Sequence, residues 1–233
     1  MDVRTATPAM EPDTGSGKAP HRPEPGLVAR LIAGVAAAIL LLLAIPRPIW
    51  EARLTAPQYP DGLTLSAYGD RVEGDIAEIT ALNHYVGMRP YDPDDLPEMQ
   101  LWIPTILAAI GAVVVSTIYG RRFWGRLARL FVWSIPIGIL AVIQFRLYQY
   151  GHDLATDPRP AIDLDPFTPW VVGKTHVINF TTLAFPGTAV LLILLAAAVL
   201  SFGPGLPQTA RRVARWMRTP VGDQAEPAEA GAT

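Results

Sequence analysis

The apolar residues fall into four long blocks, Leu27–Ile45, Leu101–Tyr119, Leu127–Leu147 and Leu183–Phe202, parted by polar stretches. Each block is close to the roughly 20 residues a helix needs to cross about 30 Å of hydrocarbon, and none alternates at the spacing of an amphipathic surface helix. The pattern predicts an all-α membrane protein: a four-transmembrane-helix bundle with a small external cap formed by two loops. In chain order it predicts a disordered tail over 1–25, a helix over 26–46, an external loop over 47–100, a helix over 101–119 and a basic loop over 120–126. A third helix follows over 127–148, a second external loop over 149–182, a fourth helix over 183–203, and a short interfacial helix with a disordered tail over 204–233. The first block is longer than a signal-peptide core, and no small-x-small cleavage pattern precedes Pro46-Arg47-Pro48, so it reads as a retained anchor.

Orientation follows from the placement of Lys and Arg. Arg121, Arg122, Arg126 and Arg129 cluster between the second and third blocks, and Arg211, Arg212, Arg215 and Arg218 follow the fourth. The two long loops are acidic by contrast. Both termini are therefore expected in the cytoplasm (N-in/C-in) and both long loops outside. Trp50, Trp102, Trp124, Tyr148 and Tyr150 fall near the ends of the blocks, where amphipathic rings anchor at headgroup depth. Within the first loop, Leu63, Leu65 and Ala67 alternate with Thr64, Ser66 and Tyr68 between Gly62 and Gly69, the mark of a short strand. Asp75 before Ile76-Ala77-Glu78 signals a helix start, and Gly87 a helix end. Residues 173–181 read as a short extended or re-entrant segment.

Composition narrows the chemistry. The 233 residues are 50% apolar and 17% charged, with a net charge of −2 and no cysteine. No basic excess points to nucleic acid. Without cysteine there are no disulfides, thiolate metal sites, iron–sulfur clusters or thiol nucleophiles. No Gly-rich phosphate loop, nucleophile elbow or paired intramembrane carboxylates occur, so an enzyme is not the favoured reading. The bilayer is the one partner that the composition itself requires.

Three of the four histidines, His84, His152 and His176, lie in the loops read as external or at their edge, together with Met88 and Met99. Imidazole suits several metals, whereas thioether sulfur selects soft ions, above all Cu(I). Placed at one end of a bundle, His84, Met88 and His152 form a candidate copper site, with Met99 or His176 as a fourth ligand. Each also has a plain structural role: His152 can cap a helix C-terminus, and Met99 can enter the second helix. Asp153 is a candidate to orient an imidazole. Arg146, near the outer end of the third block, either snorkels to the interface or holds external acids in place. Asp92, Asp94 and Asp95, interleaved with prolines, read as a solvated turn.

Ala56-Pro57-Gln58-Tyr59-Pro60-Asp61-Gly62-Leu63-Thr64-Leu65, Asn83-His84-Tyr85-Val86-Gly87-Met88, Tyr150-Gly151-His152-Asp153-Leu154, Gly173-Lys174 and Asn179-Phe180-Thr181 together resemble an uncharacterised family. Its members are bacterial four-span membrane proteins often encoded near the maturation genes of nitrous oxide reductase, a periplasmic copper enzyme. The resemblance spans about residues 50–190 and is strongest in the loops. Asn83, His84, Tyr85, Gly87, Met88, Gly151, His152, Asn179 and Phe180 match its pattern. His176 departs from it, the family more often having an apolar residue there, which weakens its standing as a ligand. The resemblance implies an inner-membrane accessory protein that handles copper at its periplasmic face or supports that reductase. Two other readings stay open: a metal-free assembly subunit in which Asn83 and Asn179 help hold the two loops together, and a quinol-linked electron-transfer subunit.

Overall fold

The computed structural model describes residues 26–85, 96–154, 165–177 and 179–205. Four of its helices are long and apolar enough to cross a membrane: α1 (Leu27–Ala44), α3 (Trp102–Tyr119), α4 (Phe123–His152) and α5 (Thr188–Phe202). A shorter helix, α2 (Ile76–Tyr85), lies in the first loop, and a 3₁₀ turn, Pro97–Leu101, leads into α3. These four helices are consistent with a multi-pass membrane protein. The expected terminal tails, the interfacial helix and the turn at Asp92, Asp94 and Asp95 lie outside the described residues.

Small residues sit where the long helices meet. Ala37, Ala44, Ala109, Ala189, Ala196 and Ala197 are buried among Leu41, Ile106, Val132 and Ile193. Helix α1 packs on α5 and α3, and α4 packs on α3 and α5. The larger side chains face outwards instead: Ile32, Val35, Ile39, Leu107, Leu130 and Ile137 are all exposed. A water-soluble protein would hide such a surface, because large continuous apolar patches are costly in water. In lipid there is no hydrophobic drive between helices, and close backbone approach through small residues is what holds them. Helix α4 has 30 residues, about 45 Å at the rise of an α-helix, so it outruns a bilayer core of roughly 30 Å. Pro136 is buried within it.

The all-α expectation is corrected by a five-stranded antiparallel sheet in the order β3-β2-β1-β5-β4. Its strands are β1 (Trp50–Ala56), β2 (Tyr59–Ala67), β3 (Val72–Gly74), β4 (Gly173–Val177) and β5 (Phe180–Pro186). The strand expected within 63–68 is the second half of β2. The decisive pairing is β1 with β5, running from Trp50↔Pro186 to Thr55↔Thr181, which makes one sheet out of both long loops. Leu183 and Phe185, read from the sequence as the start of the fourth apolar helix, belong to β5, and α5 begins only at Thr188.

The sheet is fastened to the helices at several points. At its root, Gly187 N–H donates to the Ile49 carbonyl (3.0 Å) and Ala189 N–H to the Pro48 carbonyl (2.9 Å). A Cβ at Gly187 would overlap the Pro48 and Ile49 backbone, so the exit from α1 and the entry to α5 touch main chain to main chain. Trp50 and Trp102, expected as interface anchors, are each only 6% exposed. Their indole N–H groups instead donate to the Val171 carbonyl (2.7 Å) and the Ile45 carbonyl (3.3 Å), because a buried indole requires an acceptor. Trp50, Ala52 and Ala184 pack with Ile143 and Leu147 of α4. Asp75, ahead of α2, accepts from both the Thr64 N–H (2.7 Å) and hydroxyl (3.1 Å), tying that helix to β2.

Candidate functional site

One face of the sheet is committed to the helices. The other carries the side chains of the opposite strand parity: Glu51, Arg53 and Thr55 on β1, Thr64 and Ser66 on β2, Lys174 and His176 on β4, and Thr181, Leu183 and Phe185 on β5. Leu183 and Phe185 remain 49% and 42% exposed. Register sets Leu183 between Arg53 and Lys174, and Phe185 beside Glu51. An apolar pair in a rim of both charge signs is the layout of a protein-binding patch, with a dry centre and a solvated border. Charged residues at the rim also discourage self-pairing of the sheet.

Beneath the committed face lies a cavity of about 470 Å³, a size usual for small-molecule pockets. It runs along α4 from Ser134 to Tyr150 and is also lined by Trp50, Leu65 and Trp102. At its sheet end Arg146 grips Glu98 through two parallel bonds, Nε to Oε1 at 2.5 Å and Nη2 to Oε2 at 2.6 Å. Only 29% and 27% of these side chains is exposed. Arg146 Nη1 also donates to the Gln149 side chain at 3.1 Å. This is the acid-holding role of the two considered for Arg146. Two residues earlier on α4, Gln144 donates to the Pro169 carbonyl (3.0 Å) and accepts from the Val171 N–H (2.9 Å). Together these two side chains hold both loops to α4.

The proposed ligands are dispersed among these elements. His84 lies on α2, with Asn83 and Tyr85 on either side; Met88 lies outside the described residues. His152 ends α4, stacked on Tyr148 with centroids 4.0 Å apart. Its Nδ1 is 3.0 Å from the Tyr148 carbonyl, and since a carbonyl only accepts, it is the Nδ1–H that donates. Asp153 caps α4, its N–H donating to the Gln149 carbonyl at 2.8 Å. His176 Nδ1 is 2.8 Å from the Thr181 hydroxyl across the β4–β5 hairpin, whose turn contains Asn179. Met99 lines the cavity under β1 and β2. His176 stands on the opposite sheet face, two strands beyond β1, or roughly 10 Å at normal strand spacing. Met99 and His176 therefore do not share a site. Among the described residues no three His, Asp or Glu side chains gather to hold a metal ion.

Two features carry no plain signal in the sequence. The Glu98–Arg146 pair joins residues 48 apart, recognisable only as an isolated acid before one apolar block and an isolated base near the end of another. Gly151 is needed because the 165–170 segment crosses the end of α4 there: Phe167 N–H donates to the Gly151 carbonyl at 3.1 Å, and a Cβ would overlap the Phe167 carbonyl.

At the β2–β3 turn Arg71 lies over the Tyr68 ring at 4.2 Å and bonds Glu73 at 2.6 Å. That bond holds the Glu73 carboxyl below the usual glutamate range. A depressed carboxyl contributes stability above the ordinary glutamate pKa and loses it as pH falls through the depressed value. Replacing Arg71 with Gln is expected to return Glu73 to the ordinary range in an NMR titration; an unchanged midpoint would show that the pair does not set it. No family model, curated protein or solved structure matches this chain.

Proposed function

We propose that the chain is a membrane accessory subunit that docks a water-soluble partner on the outer face of its sheet, on the non-cytoplasmic side. The observation that carries this reading is the exposed Leu183–Phe185 pair, ringed by Glu51, Arg53 and Lys174 on a sheet anchored at both its α1 and α5 ends. The orientation rests on the arginines of the 120–129 turn at the opposite end of the helices. The resemblance to proteins encoded beside nitrous oxide reductase maturation genes points to that periplasmic copper enzyme as the partner.

The test uses the full chain in lipid nanodiscs and purified nitrous oxide reductase, metal-free and copper-loaded, with binding read by biolayer interferometry. Wild type binds at least one form. The Leu183→Asp/Phe185→Ser double variant binds about tenfold or more weakly, as expected for loss of a central apolar anchor, while thermal unfolding is unchanged. Absence of binding by wild type overturns this choice of partner, and undiminished binding by the double variant overturns this choice of surface.

Copper handling is the second reading. It is favoured by the place of His84 on α2, four positions before Met88 in the sequence, and by the engagement of His152 Nδ1 with the Tyr148 carbonyl, which leaves Nε2 as that ring's candidate ligand atom. An imidazole–thioether set suits Cu(I). Copper bound per protein, compared between wild type and His84→Ala/Met88→Ala, decides it: near-zero values in both remove copper from the function and leave docking intact.

A further inference from the structure

The end of the helices opposite the sheet has a charge imbalance among the described residues. Among the described residues every Asp and Glu belongs to the sheet end, while Arg30, Arg121, Arg122, Arg126 and Arg129 gather where α1 begins and α3 turns into α4. Among the described residues no acidic side chain pairs with Arg30, Arg121, Arg122 or Arg126. Their arrangement is specific. Gly120, at φ +55, ends α3 and receives Arg30 so closely that a Cβ would overlap its guanidinium. Arg129 Nη1 donates to the Gly120 carbonyl at 2.9 Å and to the Ser116 hydroxyl at 3.3 Å. Arg129 thereby serves the α3 C-terminus, where a cation is favoured. Arg30 is different: its Nε is buried and has no hydrogen-bond partner, a costly state for a donor on a charged group.

Arg121, Arg122 and Arg126 are exposed beside it. Arg122 occupies the cap position of α4, which has no side-chain cap and no acid in its first turn. Cations at that end of a helix are unfavourable in isolation, so these arginines stand where a bound anion would be stabilising. Phe123 and Trp124 stand exposed at the same level, 63% and 58%. An exposed indole next to arginines marks the depth of lipid headgroups.

We propose that this end of the molecule holds the phosphate of an anionic membrane phospholipid, gripped by Arg30 from α1 and by Arg121, Arg122 and Arg126 from the α3–α4 turn. Guanidinium groups bind phosphate oxygens in parallel pairs, and basic pockets between membrane helices recognise anionic headgroups in this way. The acyl chains lie along the outward-facing apolar surface of α3, which packs against both α1 and α4 and leaves Val114 and Ile118 exposed. This site is independent of docking at the sheet.

The experiment places the purified full chain in nanodiscs of phosphatidylcholine alone or mixed with phosphatidylglycerol, and counts retained lipid by native mass spectrometry. Wild type is expected to retain phosphatidylglycerol over phosphatidylcholine by about tenfold or more, the scale set by several arginines at a charged headgroup, and to unfold at a higher temperature in the mixed bilayer. Arg121→Gln/Arg122→Gln/Arg126→Gln loses the preference; Arg30→Lys, which keeps the charge but not the paired geometry, reduces it. Equal retention of the two lipids by wild type overturns the proposal, and needs no variant to fold. An equal preference in the triple variant also overturns it. Inorganic phosphate added to phosphatidylcholine nanodiscs is the remaining arm: if it alone reproduces the thermal shift, the site reads a soluble anion and the lipid assignment fails.

Discussion

Replacing Arg146 with Met is expected to destabilise the protein by about 2–3 kcal/mol, the loss of two charge-assisted hydrogen bonds together with the stranding of a carboxylate. The change preserves length and apolar bulk, so packing along α4 is retained, while Glu98 keeps its charge beside an apolar cavity. At 29% and 27% exposure the pair is wet enough that the loss falls below that of a fully buried bridge. Denaturation in detergent micelles measures it. The double variant Glu98→Gln/Arg146→Met should recover about half of the deficit, since removing both charges removes the stranded one. If the single and double variants are equally stable, the bridge contributes through packing alone. Salt should affect the wild-type value little, because screening is weak for a pair largely out of solvent.

The second large effect is expected at Gly187. A valine there would push side-chain carbons into the Pro48 and Ile49 main chain, and neither neighbour has a flexible tip that could yield. Overpacking of this kind costs about 1–3 kcal/mol. It should act locally first, opening the Gly187–Ile49 and Ala189–Pro48 bonds, so hydrogen exchange at β1 and β5 should quicken more than at the centre of α3. Gly138→Ala is the control: no atom lies within 4 Å of the added Cβ, and an alanine inside α4 should be neutral or stabilising by up to about 1 kcal/mol. Uniform acceleration across all four long helices would show that the junction is not a separate structural unit.

The long helices were legible because bilayer crossing requires an apolar run, and little else produces one. The sheet was harder to read for two different reasons. Strand β1, Trp50-Glu51-Ala52-Arg53-Leu54-Thr55-Ala56, alternates cleanly, but it directly follows an apolar block that draws attention to membrane anchoring. In β5, Leu183, Ala184 and Phe185 run into the apolar sequence of α5, so hydropathy alone merges strand and helix; the break is marked only by Pro186-Gly187. Trp50 and Trp102 show the same ambiguity at single-residue scale, since an aromatic near a span end suits either headgroups or a core. The exposed Leu183–Phe185 pair was hidden by the merging of β5 with α5, for the two read as a sheet-surface pair only once they are known to stand on a strand. His176 was visible as a potential ligand, but its bond to Thr181 depends on a hairpin register that composition does not reveal.

The β1–β5 ladder also imposes an order on biosynthesis. Thr55 and its partner Thr181 are 126 residues apart, so at synthesis rates of about 5–20 residues per second β1 waits roughly 6 to 25 s for β5. During that interval two more spans must be inserted and β1 keeps an unpaired edge facing its future neighbour, the condition most open to wrong pairing. Closure of the sheet thus becomes a late checkpoint: a chain that fails to insert its third span, or stops short of β5, carries an exposed strand edge that a protease or holdase can read as incomplete.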